Sequence, residues 1–172
     1  KYMSDKDFIK KYLEDFSSLV KSNDQIVEKI IKTKDIFLKS KENGAKIIIC
    51  GNGGSAAIAS HVSVDLTKNA KIRCTNYNEP DLITCFSNDF GYERWVEMTV
   101  KYYGNKGDVL IVISSSGKSK NIMAALYKGF IVTAIASIAI LYPVTDLVIG
   151  LDSVYIVNDK NFNPNTPLSR TC

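Results

Sequence analysis

Apolar residues recur every three or four positions through the first 45 residues of the chain, which is the spacing of helices with one apolar face. One series lies before the polar segment Ser22-Asn23-Asp24 and a second lies after it. The members are Phe8, Tyr12, Phe16 and Leu19 in the first series and Ile26, Ile30 and Phe37 in the second. Because Ser, Asn and Asp cap helix N-termini, the polar segment can begin the second helix. The pattern predicts two amphipathic helices that pack on the rest of the chain or on a second subunit.

At Lys46 the pattern changes to a continuous apolar run, which is typical of a buried strand. The run Ile47–Cys50 leads into a glycine loop at Gly51–Ser55 and then into small residues that favour a helix. The same order recurs about sixty residues later, where Val109–Ile113 leads into the serine-rich segment Ser114–Ser119 and a helical stretch. Two strand-loop-helix units predict a parallel sheet with helices on both faces.

Weaker signals lie between and after these two units. Ile72–Thr75 and Ile131–Thr133 are short β-type runs, and Pro80 can open a short helix at its first position. Tyr92–Tyr103 has a helical pattern that ends at Gly104. We therefore predict an α/β fold, a doubly wound parallel sheet flanked by helices.

The length of 172 residues fits one domain. We predict a single domain over residues 1–172, with N-terminal helices at 1–45 and the α/β core at 46–172. The net charge is only +4 and no basic cluster stands out, so we predict a small anionic partner and no nucleic acid.

Cysteine and hydropathy patterns bear on the location of the protein. The four cysteines form no CxxC pair and no secretory leader begins at Lys1, so we expect reduced thiols and a cytoplasmic protein. From Phe130 to Leu151 the only charge is Asp146, which approaches the length of a membrane span. Since Pro143 and Gly150 interrupt this run, we expect a buried element and no contact with a membrane.

The glycine loop has the form of an anion site, because backbone N–H groups gather where a strand turns into a helix. Gly51, Gly53 and Ala56 also fit the dinucleotide-binding spacing, with Glu79 as a ribose-binding acid. Glu79 follows an Asn-rich turn and not an obvious strand end, so we expect no nucleotide cofactor. A tight turn that needs glycine is the purely structural alternative.

The serine-rich segment favours phosphate. Gly117-Lys118-Ser119 resembles the end of a Walker A motif, but Val112 occupies the place of the required first glycine, which excludes that motif. Four hydroxyls remain, on Ser114, Ser115, Ser116 and Ser119. They can donate to phosphate oxygens alongside backbone amides. Local capping of the following helix is the alternative.

The two loops together resemble the sugar isomerase (SIS) domain family and, within it, the phosphoheptose (sedoheptulose 7-phosphate) isomerases. The matching segments are Cys50–Ala57, His61, Ser87–Gly91 and Ile113–Ser119. The resemblance implies a flavodoxin-like three-layer sandwich and a homo-oligomer, dimeric or tetrameric. It also implies a phosphorylated sugar held by the serine loop, with further substrate contacts from the residues Asn52, Gly53, Ser55 and Asp89.

His61 and Asp65 are the candidates for acid and base catalysis. Four residues apart, they share one face of the predicted helix, where they could relay a proton or hold one divalent metal. The resembled isomerases have His and Glu at these positions and add a Gln and a second His near the C-terminus to complete a zinc site. This chain has only one histidine, so His61 and Asp65 supply two of the ligands of a zinc ion and do not complete the site, and zinc stays an open alternative.

The sequence departs from the family pattern after Gly129. Asn158–Ser169 resembles the loop that SIS proteins place after the strand occupied here by Ile131–Thr133, and Ile138–Gly150 resembles their final helix. The two blocks thus stand in swapped order, and we expect residues to be missing or reordered after about Thr133.

Three functions remain in competition. The first is a phosphosugar isomerase that interconverts an aldose and a ketose, such as sedoheptulose 7-phosphate, for heptose precursors of surface polysaccharide. The second is a sugar-phosphate-binding module without catalysis, a sensor or an oligomer partner. The third is a dinucleotide-dependent oxidoreductase, for which the spacing of the glycine loop is the only support.

Overall fold

The computed structural model describes residues 3–19, 21, 24–126, 134–141 and 153–157. Helices and strands alternate through most of this part of the chain. In chain order they are α1 (Asp5–Leu19), α2 (Asp24–Glu42), β1 (Ile47–Gly51), α3 (Gly54–Lys68), β2 (Cys74–Asn76), α4 (Pro80–Phe90), α5 (Trp95–Tyr103), β3 (Asp108–Ser114), α6 (Lys120–Ala124), β4 (Ala134–Leu141) and β5 (Ser153–Val157).

The strands form one sheet in the order β2-β1-β3-β4-β5. The first four are parallel, and β5 is antiparallel to β4. This order is that of a flavodoxin-like doubly wound sheet with a reversed edge strand. The predicted α/β class is therefore confirmed, with the addition of an antiparallel edge that the sequence pattern did not indicate.

Alternate residues of β1 and β3 face two separate apolar clusters, as the pleat of a strand requires. On one face, Ile48 and Leu110 pack with Trp95 and Val100 of α5 and Ile122 of α6. On the other face, odd-numbered residues of both strands pack with residues from α2 and α3, which include Ile36, Phe37, Ala59, Val62 and Leu66. Helices thus cover both faces of the sheet. The packing of each helix fixes the direction in which the loop before it leaves the sheet.

A charged pair aligns the beginnings of β1 and β3. Asp108 is buried, and its carboxylate accepts from the Lys46 backbone N–H at 2.9 Å and from the Asn105 N–H at 2.8 Å. The Lys46 ammonium pairs with the same carboxylate. Because this ties the two strands together at one end, Gly51 and Ile113 stand opposite each other at the other. The loops that follow β1 and β3 therefore begin side by side.

The N-terminal helices are only partly covered. The predicted second helix contributes Ile36 and Phe37 to the core, whereas Ile30 is exposed. On α1, Phe8 and Leu13 are also exposed. The two amphipathic helices are confirmed, but a large part of their apolar surface lies in contact with solvent in a single copy of the chain.

Several predicted boundaries differ from the structure. β2 covers Cys74–Asn76 and not Ile72–Thr75, and the helix predicted from Tyr92 begins as a 3₁₀ turn at Tyr92–Arg94 before α5. Residues 138–141 lie in β4, so the expected helix at Ile138–Gly150 is wrong over that part. The physical reason is parallel pairing with β3, which supplies backbone partners to this apolar run.

Other C-terminal predictions fall on residues that the structure does not describe. These are the strand at Ile131–Thr133, the loop at Asn158–Ser169 and the swapped order of the two blocks. Within the described ranges, every helix is too short or too polar to cross a bilayer.

The described cysteines differ in their expected reactivity. Burial raises the pKa of both the Cys50 and the Cys74 thiols to about 12, whereas Cys85 is exposed. Since the thiolate is the reactive form, Cys50 and Cys74 are almost entirely unreactive thiols at pH 8. We expect iodoacetamide at pH 8 to modify Cys85 in the native protein and to modify Cys50 and Cys74 only after unfolding, as read by peptide mass mapping. Equal rates at Cys50 and Cys85 would contradict this.

Candidate functional site

The site lies where the chain leaves the carboxyl ends of β1 and β3. These strands are neighbours in the centre of the sheet, but α3 follows β1 onto one face whereas α6 follows β3 onto the other. At such a switch point the two loops diverge and leave a crevice, which is where ligands bind in open α/β sheets. The glycine loop and the serine loop are the two walls of this crevice.

The glycine loop is tight because α3 begins almost on top of β1. A Cβ on Gly51 would lie 2.6 Å from the carbonyl carbon and oxygen of Ser55. Gly53 has φ of 53°, a left-handed conformation that glycine adopts without strain. The N–H groups of Ala56 and Ala57 both bond to the Gly53 carbonyl. The structure therefore accounts for two of the glycines by geometry alone.

Asn78 holds the end of β1 in place. Its carboxamide donates to the Gly51 carbonyl at 2.7 Å and accepts from the Gly51 N–H at 3.3 Å, so it pairs with the backbone as a neighbouring strand would. The Asn76 side chain in turn accepts from the Asn78 N–H at 2.7 Å. The Asn-rich turn that weakened the dinucleotide interpretation thus supports the glycine loop.

Replacing Asn78 with Ala would leave the Gly51 N–H and carbonyl without these partners. Because an unsatisfied buried polar group is costly, we expect Asn78→Ala to lower the free energy of unfolding by about 1–2 kcal/mol. Asn105→Ala, at an exposed side chain, is the matched control and should change it by less than about 0.5 kcal/mol. Urea denaturation of both variants tests this, and equal stabilities would show that the Asn78 pairing contributes nothing.

The serine loop is closed by its own hydroxyls. Ser114 Oγ accepts from the Gly117 N–H and Ser116 Oγ accepts from the Lys118 N–H, each at 3.2 Å. Ser119 Oγ lies 3.4 Å from Ser114 Oγ. A hydroxyl that accepts one bond keeps its own hydrogen to donate, and Ser115 and Ser116 are exposed. The loop can therefore present several donors to one anion.

Side chains connect the glycine loop to the start of α6, which follows the serine loop. The carboxamides of Asn52 and Asn121 exchange two hydrogen bonds, at 2.9 and 2.8 Å. The Tyr92 hydroxyl donates to Asn52 Oδ1 at 3.3 Å, and Lys120 pairs with Glu93 at 3.6 Å. The 3₁₀ turn and the start of α6 are thereby joined to the glycine loop.

His61 and Asp65 lie together on α3, as predicted from their spacing. His61 Nε2 is 3.4 Å from Asp65 Oδ2, and Asp65 Oδ1 accepts from Asn69 Nδ2 at 3.1 Å. The two side chains are 81% and 52% exposed, respectively. The imidazole and the carboxylate are thus close enough to share one proton. Both are exposed to solvent in a single copy of the chain.

The pair does not contact the loops within the described part of the chain. On an ideal helix, His61 and Asp65 lie about 9 and 15 Å along the axis from Ser55, and about 80° to 120° around it. On this ideal geometry, the pair lies on a different face of α3 from Ser55, while Asn52 and Gly53 directly precede the helix.

Zinc fits this pair only in part. A tetrahedral zinc ion with bonds of about 2.0–2.2 Å separates two ligand atoms by about 3.3–3.6 Å, which the 3.4 Å between His61 and Asp65 matches. The described residues contain no cluster of three or more His, Cys, Asp or Glu that could complete such a site. His61 and Asp65 could therefore fill two positions of a metal site, and the role of a metal stays a prediction.

Asp89 lies in the last turn of α4. Its carboxylate accepts from its neighbour Asn88 at 3.0 Å, and Cys85 Sγ lies 3.9 Å away. These contacts are local, so the structure leaves the predicted substrate contact of Asp89 as a prediction. The segment reaches the crevice three residues later, through Tyr92.

Three residues that connect the elements around the site are not among those predicted from the sequence: Asn78, Asn121 and Tyr92. The Asn-rich turn was visible in the sequence, but its pairing with Gly51 spans 27 residues. The bond between Asn52 and Asn121 spans 69 residues. The sequence signal for Asn121 is a polar residue two positions after the serine loop.

Comparisons with known proteins find relatives of this chain in sequence. A phosphoheptose isomerase of Helicobacter pylori strain P12 is 37% identical over 126 residues, which are 70% of this chain and 66% of that protein. One from Cytophaga hutchinsonii is 39% identical over 115 residues, which are 62% of this chain and 60% of that protein. The chain thus spans less than two thirds of the length of these relatives.

Solved structures show the same fold. The phosphoheptose isomerase of Neisseria gonorrhoeae superposes with a TM-score of 0.68 at 27% identity, covering 79% of this chain and 72% of that one. The phosphoheptose isomerase of Francisella tularensis superposes with a TM-score of 0.71 at 25% identity, covering 91% and 90%. The sequence model of the SIS domain matches residues 11–137, which include both loops. With both loops inside that match, the chain belongs to the SIS domain family.

Proposed function

We propose that this chain is a phosphosugar isomerase of the phosphoheptose type, which interconverts sedoheptulose 7-phosphate and its aldose isomer for the heptose precursors of surface polysaccharides. The observation that carries the proposal is the placement of the glycine and serine loops side by side at the switch point, joined through Asn52 and Asn121. The names of the relatives in sequence and structure support the same activity.

In this proposal, each loop binds a different part of the substrate. The hydroxyls of Ser114, Ser115, Ser116 and Ser119 and the backbone N–H groups of their loop bind the phosphate. Asn52, Gly53 and Ser55 contact the sugar chain, and Asp89 binds a hydroxyl of it. Anchoring the phosphate at one end holds the C1–C2 edge at the other in a fixed position, which lowers the entropic cost of the reaction.

The chemistry moves one proton between two carbons and one between two oxygens. In the ketose, Asp65 removes a proton from C1, and the electron pair forms the C1–C2 double bond of an enediol as the carbonyl oxygen on C2 gains a proton. Asp65 then returns a proton to C2 while the hydroxyl on C1 loses its proton and becomes the aldehyde. His61, 3.4 Å from Asp65, orients the carboxylate and exchanges the oxygen-bound protons.

A metal has a limited place in this proposal. His61 and Asp65 would hold two positions of a bound zinc ion, which would polarise the carbonyl as a Lewis acid. Assays with EDTA and with added Zn²⁺ distinguish a zinc-dependent isomerase from a metal-independent one. A metal-independent enzyme keeps the same rate in both assays.

The assembly completes the proposal. We propose that a second copy of the chain covers the exposed apolar side chains of α1 and α2, as in a cytoplasmic homo-oligomer, dimer or tetramer. The exposed residues include Phe8, Ile9 and Leu13 on α1 and Ile30 and Ile31 on α2. Light scattering after size exclusion measures the mass, and a 19.1 kDa particle at micromolar concentration would reject the oligomer.

The activity is tested by incubation with sedoheptulose 7-phosphate, with unphosphorylated sedoheptulose and with fructose 6-phosphate. We expect conversion of the seven-carbon phosphate and none of the unphosphorylated sugar, because the serine loop needs an anion. No conversion of any substrate, with or without Zn²⁺, rejects the proposal.

A binding module without catalysis is the second candidate. The exposure of His61 and Asp65 favours it, because acid and base groups act best in a site that excludes water. Calorimetry that shows sedoheptulose 7-phosphate binding without any turnover would select this function over the first.

A further inference from the structure

Asn121 is a buried polar residue that none of the proposed catalytic steps uses. It lies in the first turn of α6, and only 2% of its surface is exposed. Its carboxamide is satisfied by a side chain from the opposite loop, since Asn121 Nδ2 donates to Asn52 Oδ1 and Asn121 Oδ1 accepts from Asn52 Nδ2. A reciprocal pair of this kind, here half-buried, holds the two amide planes in one relative orientation.

The bonding capacity of Asn52 is almost used up by these contacts. A carboxamide has two acceptor positions on oxygen and two hydrogens on nitrogen. Asn52 Oδ1 accepts from Asn121 and from the Tyr92 hydroxyl, and Nδ2 donates one hydrogen to Asn121. Among the described residues, the second Nδ2 hydrogen has no acceptor. Asn52 can therefore serve a substrate only as a single N–H donor.

We propose that Asn121 is a positioning residue, which fixes the carboxamide of Asn52 so that one N–H is kept for an oxygen acceptor on the sugar phosphate. The inference rests on the proposed function and adds to it a requirement on the substrate: an acceptor oxygen at Asn52. This role also couples the two loops, because Asn121 orients the sugar contact of the glycine loop and lies only two positions after Ser119, where the serine loop ends.

The physical reason for the effect is preorganisation. Without Asn121, the Asn52 side chain can rotate and its amide can turn over, so the donor is in place for only a fraction of the time. Binding must then order it, and a contact that is misplaced in this way lowers the rate of the reaction as well as the affinity. A substitution of Asn121 should therefore lower the rate and the affinity only when Asn52 is present.

A double-mutant cycle tests this. Asn52→Ala, Asn121→Ala and the double variant are compared with the wild type by kcat/KM on sedoheptulose 7-phosphate. We expect Asn121→Ala to lower kcat/KM by about 10- to 100-fold in the wild type and by less than about 2-fold in the Asn52→Ala background. Asn121→Leu, which keeps the branching of the side chain and removes the hydrogen bonds, should match Asn121→Ala.

A control separates positioning from simple loss of stability. Thr99 is also buried, and its hydroxyl donates to the Trp95 carbonyl on α5 at 2.8 Å. Thr99→Ala should lower the melting temperature and leave kcat/KM of the folded enzyme unchanged. If Thr99→Ala and Asn121→Ala lower kcat/KM equally, or if Asn121→Ala has the same effect in both backgrounds, the positioning role is wrong.

The failure of the inference is distinct from failure of the proposed function. If the wild type turns over sedoheptulose 7-phosphate and the cycle is additive, the activity stands and the role of Asn121 falls. If the wild type shows no turnover, the same cycle is read from the affinity for sedoheptulose 7-phosphate by calorimetry. If the affinities of the four proteins show coupling, Asn121 has the positioning role in a binding module. If the wild type does not bind sedoheptulose 7-phosphate, both the role of Asn121 and the proposed function are wrong.

Discussion

Asp65→Asn is expected to lower kcat for sedoheptulose 7-phosphate by about 10²- to 10⁴-fold, the usual contribution of a positioned acid or base. The amide has the same shape as the carboxylate but cannot take a proton from carbon. Its oxygen can still accept from Asn69, so the end of α3 should stay folded. Because the phosphate is bound elsewhere, KM should change by less than about 3-fold. Steady-state kinetics and calorimetry measure the two effects separately.

Asp35→Asn is the matched control, because Asp35 is an exposed carboxylate on α2 that pairs only with its neighbour Lys34 among the described residues. It should leave both constants unchanged. If Asp65→Asn keeps more than half of the wild-type kcat, then Asp65 is not the base, and the His61–Asp65 pair is a surface interaction.

Gly51→Ala is expected to have the largest effect on the fold of the site. The added methyl group would lie 2.6 Å from the backbone of Ser55, and backbone atoms cannot move aside as a flexible side chain can. The first turn of α3 must shift, and overpacking of this kind costs about 2–3 kcal/mol. Since Asn52 and Ser55 move with that turn, kcat/KM should fall by at least about 100-fold. Urea denaturation and kinetics provide the two readouts.

Gly54→Ala provides the control three residues along the chain. A Cβ at Gly54 meets nothing within 4 Å, and its backbone conformation suits any residue. Alanine there should leave the protein equally stable or stabilise it by about 0.4–1 kcal/mol. Equal stabilities of the Gly51 and Gly54 variants would show that the close approach of α3 to β1 is not what makes glycine necessary.

Those parts of the fold that rest on local pattern were predictable. A continuous apolar run followed by Gly51 or Ser114 and a helix identifies a strand-loop-helix unit within some twenty residues, and two such units imply the parallel sheet. The same applies to Pro80, which opens α4 as expected. The spacing of His61 and Asp65 likewise depends only on the helical period.

The connections across the site were not predictable in the same way. Asn78 and Gly51, or Asn121 and Asn52, are distant in sequence and meet because the sheet aligns the ends of its strands. An asparagine in a loop has the same local signal whether it faces solvent or pairs with a backbone. Only the register of β1 and β3 distinguishes these cases, and the register follows from packing over the whole sheet.

The antiparallel edge shows a further limit of the local pattern. β5 pairs with β4 in reverse, and an apolar strand has the same sequence pattern in either direction. Likewise, residues 138–141 resemble part of the final helix of SIS proteins but lie in β4, since a short apolar run fits a buried strand as well as a buried helix. Pairing with β3 decides between the two.

The proposed isomerisation can be followed at the reacting carbon by carbon-13 NMR of sedoheptulose 7-phosphate labelled at C2, incubated with the wild-type protein. We expect the signal of the ketose C2 to be replaced by that of a secondary alcohol carbon in an aldose phosphate, at a rate proportional to protein concentration and strongly reduced in Asp65→Asn. A label that stays in the ketose with folded wild-type protein, with and without Zn²⁺, would contradict it.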